Sequence, residues 1–439
     1  MPFSASPAKA TSLFLDSDRY CMEHHLLMEP LRLLHLADIH IGVENYGRLD
    51  ASTGLHTRLQ DFVKSLTFAV DTAIERDVDA VLFAGDAYKS ASPSPTHETQ
   101  FAGQMRRLRD HNIPVVMVTG NHDISASFGK ASSLHIFKTL GGEEHFWVQE
   151  RPGLLTVPTK RGAFQVACFP WPTRHVLLTR DEYKDLSDEQ ITRTIEEKTQ
   201  NRLDKFARDL DPALPSVLLA HFAVAEATYS GSERSTMIGS DPVILQGTLK
   251  NPAFDYVALG HIHKHQDFNR NAQPHVVYPG SLERVDFGEA GEEKGFCLVT
   301  LQKGDTHYEF IPTPARKFVK LDVDVRGQLD PTTAILQKIA GTDFVDAVVR
   351  VFYTADEEQR GQVDEGIVRS ALHEAFLVAG ITAVTESTRR QRPRIAGGLS
   401  VLDTLDQYID YKPELQDMKN DLRAYAERLL RELEESERP

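Results

Sequence analysis

A layered α/β fold is predicted by two observations. Short apolar runs alternate with segments whose apolar residues recur at helical spacing, and polar residues able to bind metal stand directly after the apolar runs. The first run, LRLLHLA from Leu31, reads as a buried strand, and Leu59, Phe62, Val63, Leu66, Ala69, Val70, Ala73 and Ile74 follow on one helical face. AVLFA is a second strand, a helix is expected around residues 97–111, and PVVMV is a third strand. The later runs FQVACF, SVLLAHF and YVALG repeat the theme, so residues 31–314 are expected to form one layered domain with strands buried on both faces.

Past IPTPARKF the pattern becomes FVKLDVDV as strand, TTAILQKIA as helix, AVVRVFY as strand, EGIVRSALHEAFLVA as helix and TAVTES as strand. This βαβαβ order predicts a small α+β cap over residues 315–388. RRQRPRIAGG gives a basic linker over 389–399, and a helix pair is expected over 400–439. In its second helix Leu415, Met418, Leu422, Tyr425, Leu429 and Leu433 recur at helical spacing. Residues 1–30 mix Pro, Ser and charge without a period and read as a loose leader; a start at Met28 also fits.

The 439 residues leave room for roughly three structural units, and the composition, 41% hydrophobic and 26% charged, is that of a globular chain rather than a disordered or fibrous one. With 49 basic against 64 acidic residues the net charge is −15, so a polyanionic partner has to be held by local positive charge. Cys21, Cys168 and Cys297 are far apart and form no CxxC pair, which points to a reducing compartment, the cytoplasm, and away from a disulfide framework. No run of 18 apolar residues and no signal-peptide core is present, so no membrane association is expected.

The chemistry lies at the strand ends. Asp38 and His40 follow the first run, Gly85-Asp86 the second, and Gly120-Asn121-His122-Asp123 the third, while His221 closes SVLLA and Gly260-His261-Ile262-His263 closes YVALG. In an open α/β sheet such loops meet at the carboxyl edge. A shared pair of metal ions explains the set, because one carboxylate bridging two divalent ions lets them activate a water and hold both oxygens of an in-line phosphoryl displacement. Mixed nitrogen and oxygen donors without thiolate favour manganese, iron or zinc. Asp123 reads as a partner that orients a histidine. His24, His25 and His35 show no partner pattern and read as leader or structural residues.

Taken in order, Asp-x-His, Gly-Asp, Gly-Asn-His-Asp, a lone His and Gly-His-x-His resemble the calcineurin-like metallophosphoesterase superfamily across about residues 31–288. The resemblance implies a metallophosphoesterase sandwich in which Asp38, His40 and His263 hold one metal and Asn121, His221 and His261 the other. Asp86 would bridge them, and His122 would steady the phosphate and protonate the leaving oxygen. DIHIG, the run YPGSLERVDFGEAGEEKGF over 278–296, the cap and the helix pair narrow the resemblance to the SbcD nuclease subunits of bacterial SbcCD complexes. That implies a manganese-dependent DNA exonuclease and endonuclease, a homodimer within a heterotetramer, and an SbcC-like ATPase docked on residues 400–439. Lys89 stands where members of that family carry His or Asp. It either holds a DNA phosphate or, by replacing a group that positions substrate or water, shifts the balance between the two activities. Arg284 either pairs with Glu283 to brace its loop or contacts substrate, and Arg389 and Arg390 either neutralise phosphates or sit in a solvated linker. The alternatives in function are a small-molecule phosphodiesterase of the same superfamily and a DNA-end-binding scaffold with weakened catalysis.

Overall fold

The computed structural model describes residues 29–436 apart from 126–128, 174–185, 232–241, 385–400 and short stretches within 357–360 and 401–417. Residues 1–28 of the expected leader, the basic linker with Arg389 and Arg390, and part of the first C-terminal helix lie outside the described residues. Strand β1 is Leu31–Leu36, α1 is Thr57–Glu75, β2 is Ala80–Phe83, and α2 is Pro95–Asp110, which starts where the Ser94 side chain accepts from the His97 amide and Pro95 presets the first turn. β3 (Val115–Val118), α3 (His135–His145) and β4 (Phe146–Gln149) complete the first half. β5 (Gly153–Thr159) and β6 (Gly162–Phe169) form a hairpin, and α4 (Asp188–Asp209) opens with a capping box between Ser187 and Gln190. There follow β7 (Ser216–His221), the short β8 (Ala223–Val224) and β9 (Val243–Ile244), α5 (Gln246–Leu249), β10 (Tyr256–Gly260), β11 (Gln266–Asp267) and β12 (His275–Tyr278). A 3-10 turn at Phe287–Glu289 leads to β13 (Gly295–Leu301) and β14 (His307–Pro312).

These strands make two six-stranded sheets, in the orders β14-β13-β1-β2-β3-β4 and β11-β12-β10-β7-β6-β5. Alternation along each strand divides the apolar residues between two faces. Leu31, Leu33, Leu82 and Val116 of the first sheet pack on Phe164, Val166, Leu219 and Ala258 of the second, which makes the core between the sheets. Leu34, Phe83 and Met117 face outward onto Phe62 and Leu66 of α1 and Phe101 and Met105 of α2. On the other side Leu218, Ala220 and Val257 pack against Leu203 and Phe206 of α4. The result is a layered helix–sheet–sheet–helix sandwich in which every central strand is buried on both faces, as the uninterrupted apolar runs require.

His35 on β1 is a polar exception inside that core. It is fully buried, its Nε2–H donates to the Leu259 carbonyl at 3.1 Å, and its Nδ1 accepts from the Tyr256 hydroxyl at 3.1 Å, pinning one sheet to the other. Burial drives its pKa from 6.5 down to about 3. A histidine depressed in the fold stabilises the protein fully above its unfolded pKa, and that stability is lost as pH falls from 6.5 towards 3. Denaturant titrations at pH 7 and pH 4.5 are expected to show a drop on the order of 2–3 kcal/mol from this residue, absent from His35→Gln.

The described residues form two compact units: one reaches to Lys320 and includes 342–350 and 372–380, and the other holds 321–341, 351–371 and 381–439. After the sandwich come β15 (Phe318–Asp324), α6 (Pro331–Ala340), β16 (Val348–Thr354), α7 (Glu365–Ala371) and β17 (Leu377–Val384), with the three strands in the order β15-β16-β17. The expected helix over EGIVRSALHEAFLVA stops at Ala371, and the last strand starts at Leu377 rather than in TAVTES. Leu372 and Phe376 continue the helical spacing by coincidence, whereas Val378, Ile381, Thr382 and Val384 supply the β-branched residues of a strand. The last helix, α8, is Lys419–Ser436, and its Arg423 pairs with Asp406 of the preceding helical stretch. No helix of the described residues is long and apolar enough to cross a membrane.

Candidate metal centre

The residues that follow β1, β2, β3, β7 and β10 converge at one edge of the sandwich, and the glycines beside them explain how loops from both sheets come so close. A Cβ on Gly120 would fall on the Asp86 carboxylate, and one on Gly260 would fall on the Ala84 carbonyl. Asp38, His40 and Asp86 have φ of 51°, 52° and 61°, and His261 has φ of 110°, a backbone region that residues with a Cβ rarely enter. Such strain costs on the order of 1–3 kcal/mol per residue and persists only where the surroundings enforce it. Here the Asp38 amide donates to the Gly85 carbonyl, those of Ile39 and His40 to the Asp86 carbonyl, and that of Ile41 to the Ala87 carbonyl, lacing the two loops together.

All seven expected metal ligands meet. Asp38, His40 and His263 bring donor atoms within 4.8 Å of one another, and so do Asp38, Asp86 and His221. Asn121 Oδ1 lies 3.0 Å from His221 Nε2 and 3.2 Å from His261 Nδ1. Asp86 Oδ2 sits between the groups, 3.8 Å from His40 Nε2 and 3.4 Å from His221 Nε2. His40 Nε2 and His263 Nε2 face each other at 2.9 Å.

The electrostatics of this cluster fit cations. Burial raises the Asp38 carboxyl to about 7 although His221 and His263 pull it down, and both its oxygens accept only the His261 amide, at 3.1 and 3.0 Å, among the hydrogen bonds of the described residues. Burial pushes His40 and His261 well below the usual imidazole range, which keeps them neutral and able to donate a lone pair. For Asp86 burial acts upward, but His221, His122 and His40 together outweigh it and hold the carboxyl below its ordinary range. His221 is desolvated too, yet Asp86 raises it to about 9. His261 Nε2 is buried without a hydrogen-bond partner among the described residues. Carboxylates, imidazoles and an amide oxygen gathered around Asp38 and Asp86 form a donor set for two divalent ions.

Around it stand residues with supporting roles. His122 lies beside the cluster: its amide donates to Asp86 Oδ1 at 2.9 Å, its Nδ1–H donates to the Lys89 carbonyl at 2.9 Å, and its ring packs edge-on to His40 with centroids 4.9 Å apart. Lys89 therefore contributes its carbonyl, while its side chain is exposed. Arg284 is a brace: its guanidinium donates to the Arg316 and Glu292 carbonyls at 2.9 and 2.6 Å, and Glu283 is buried against Arg58 at 3.6 Å. The expected Glu283–Arg284 pairing runs through the backbone, the Arg284 amide donating to Glu283 Oε1 at 2.9 Å.

Asp123 orients backbone rather than a histidine. Its carboxylate accepts the amides of Asp86 and Gly120 at 2.8 and 2.9 Å and of Ala87 at 3.1 Å. Asp123→Ala would leave three buried donors unpaired and is expected to lower unfolding stability of the metal-free protein by about 2 kcal/mol or more, measured by urea titration. Sequence reasoning gave no role to Trp171, whose ring centroid is 4.8 Å from that of His261, or to Glu289, which accepts from His263 Nδ1–H at 2.8 Å.

The sequence profile of the calcineurin-like phosphoesterases matches residues 31–265. The chain belongs to that family, and it is a metal-dependent phosphoesterase. Among curated proteins it is similar to an uncharacterized metallophosphoesterase, YhaO of Bacillus subtilis (strain 168), with 26% identity over 323 residues, 72% of this chain and 68% of that protein. Solved structures with a likeness include TT1561 of Thermus thermophilus, at 13% identity and a TM-score of 0.36 over 64% of this chain and 99% of that one. A dimetal phosphatase from Danio rerio gives 10% identity and a TM-score of 0.39 over 65% of this chain and 97% of that one.

Proposed function

We propose that this chain is a two-metal DNA nuclease, the SbcD-like subunit of an ATP-driven complex that processes DNA ends. The observation that carries phosphodiester hydrolysis is the meeting of two donor groups on Asp86 with His122 beside them. Asp38, His40 and His263 would hold one ion, Asn121, His221 and His261 the other, with Asp86 shared. When bound, two divalent ions, manganese in this reading, activate a water and neutralise charge that develops on the phosphoryl oxygens. The chain supplies the rest. Its laced left-handed loops hold the donors in place without rearrangement. Because His122 Nδ1–H is held by the Lys89 carbonyl, the transferable proton sits on Nε2, and the neutral imidazole left after transfer to the leaving oxygen is the tautomer that carbonyl favours. The exposed Lys89 ammonium adds local positive charge for a DNA phosphate.

DNA as the substrate is supported by the resemblance carried by DIHIG, the 278–296 run, the second unit and the C-terminal helices. In this reading residues 315–388 form a DNA-contacting cap, and Arg389 and Arg390 neutralise phosphates. The helices within 400–439 dock an SbcC-like ATPase, with two such chains in a homodimer. Met418, Tyr425 and Leu429, spaced at helical intervals, are 50%, 54% and 42% exposed, which supports docking. The buried free thiols of Cys168 and Cys297 agree with a cytoplasmic site of action.

The test is cleavage of end-labelled linear and hairpin DNA by the purified chain with manganese. The expected result is cutting that a chelator abolishes, added manganese restores and rising salt suppresses. Turnover of a nitrophenyl phosphodiester without action on DNA would replace this reading with a small-molecule phosphodiesterase. DNA binding without metal-dependent cutting would replace it with a scaffold.

A further inference from the structure

The two donor groups are not supported alike. Behind His263 lies a buried relay: Glu289, on the turn before β13, accepts from His263 Nδ1–H at 2.8 Å through one oxygen, and its other oxygen takes the Val285 amide at 2.9 Å and the Lys294 ammonium at 2.9 Å. Glu289 is 0% exposed and Lys294 is 2% exposed. Lys294 Nζ also reaches Glu292 at 2.9 Å and donates to the His263 carbonyl at 3.0 Å, while the Ser230 hydroxyl donates to Glu292 at 2.9 Å. In the other group His221 Nδ1–H meets only a neutral acceptor, the Ala84 carbonyl, at 2.6 Å.

A buried carboxylate and a carbonyl act differently on an imidazole. Both fix the tautomer that leaves Nε2 free, but the carboxylate also raises the basicity of that nitrogen and so strengthens its bond to a cation. A buried carboxylate is tolerable only if its charge is matched, and Lys294 supplies the match from a position where it also clamps the His263 backbone.

We propose that Glu289, held by Lys294, is a positioning residue that selectively strengthens the ion position formed by Asp38, His40 and His263, so that the two ions bind with unequal affinity. The inference rests on the two-metal reading above and assigns a task to a part of the 278–296 run that neither touches the ions nor belongs to the motif histidines.

The experiment is equilibrium dialysis of the full-length metal-free protein against manganese(II), with bound metal counted by elemental analysis and folding followed by thermal unfolding. Glu289→Asp keeps the charge for Lys294 but draws the oxygen away from His263, and Glu289→Gln keeps the shape without the charge. The wild type is expected to bind two ions. Each variant is expected to bind one ion as before and the other about ten- to a hundred-fold more weakly. In an Asn121→Ala background Glu289→Asp should weaken the ion that is left, and in a His40→Ala background it should leave that ion unchanged.

Two ions of unaltered affinity in a folded Glu289→Asp protein would overturn the inference alone. Equal weakening of both ions together with a fall in the unfolding temperature would also overturn it, by making Glu289 a general structural residue. A wild type that binds fewer than two ions would overturn the two-metal reading and this inference with it.

Discussion

Asp86→Ala is expected to leave a folded protein that binds neither ion firmly and hydrolyses no phosphodiester above background. Asp86 Oδ2 lies within 3.8 Å of His40 Nε2 and 3.4 Å of His221 Nε2, so it stands between the two positions and its loss is felt by both. Asp123 is occupied by three backbone amides, and Asp38, which lies near both groups, has both its oxygens turned to the amide of His261. Loss of both ions removes the whole catalytic acceleration, which for enzymes is on the order of a million-fold or more. Asp86→Asn tests the charge separately: its amide oxygen can still accept the His122 amide, so the loop should keep its shape while the ions are lost. Bound manganese counted by elemental analysis, next to cleavage of DNA and of a nitrophenyl phosphodiester, checks the prediction. Full activity in either variant would place the centre elsewhere.

How much of this was legible in the sequence depended on burial. Strands covered on both faces announced themselves: LRLLHLA, AVLFA, PVVMV, SVLLA and YVALG are central strands in the structure. The strands that escaped notice are those that lack such cover or whose pairing is distant. β14 has an almost wholly exposed or half-exposed pattern at the edge of its sheet, and β5 likewise buries only Val157. α4 buries only Ile191, Ile195, Leu203 and Phe206 among its apolar residues, so its face was too narrow to read. β13 returns antiparallel beside β1, pairing Leu31 with Leu301 and His35 with Cys297, and no local pattern reports a partner that far away.

The site followed the same logic. Its donors were legible because each stands at or next to the end of a strand, and Asp86, Asn121 and His261 also stand beside glycines that the close packing of the loops requires. What lies behind the donors was not, since Glu289 and Lys294 meet His263 only through tertiary packing, and nothing in YPGSLERVDFGEAGEEKGF marks one glutamate above another. Asp123 shows the difference: an aspartate beside histidines suggests an imidazole contact, whereas the fold turns its carboxylate to the amides of the β2 loop.

If the chain is the nuclease proposed above, His122→Ala is expected to lower kcat on DNA by about 10²- to 10⁴-fold while leaving two ions bound. The separation follows from geometry. His122 touches Asp86 through its backbone amide, which alanine keeps; a ring nitrogen lies within 4.8 Å of the His40 and Asp86 donors, and its Nδ1–H is held by the Lys89 carbonyl. In the reading proposed above, removing the ring removes the proton donor and keeps the seven residues assigned to the ions. The leaving group decides whether that is its role. A DNA alkoxide is a poor leaving oxygen and needs the proton, whereas nitrophenolate departs without one, so the variant should be severely impaired on DNA and nearly unimpaired on a nitrophenyl phosphodiester. Added imidazole should restore part of the DNA activity by standing in the vacated space. Equal losses on both substrates, with ion content unchanged, would mean that His122 steadies the phosphate and that the leaving oxygen takes its proton from another group.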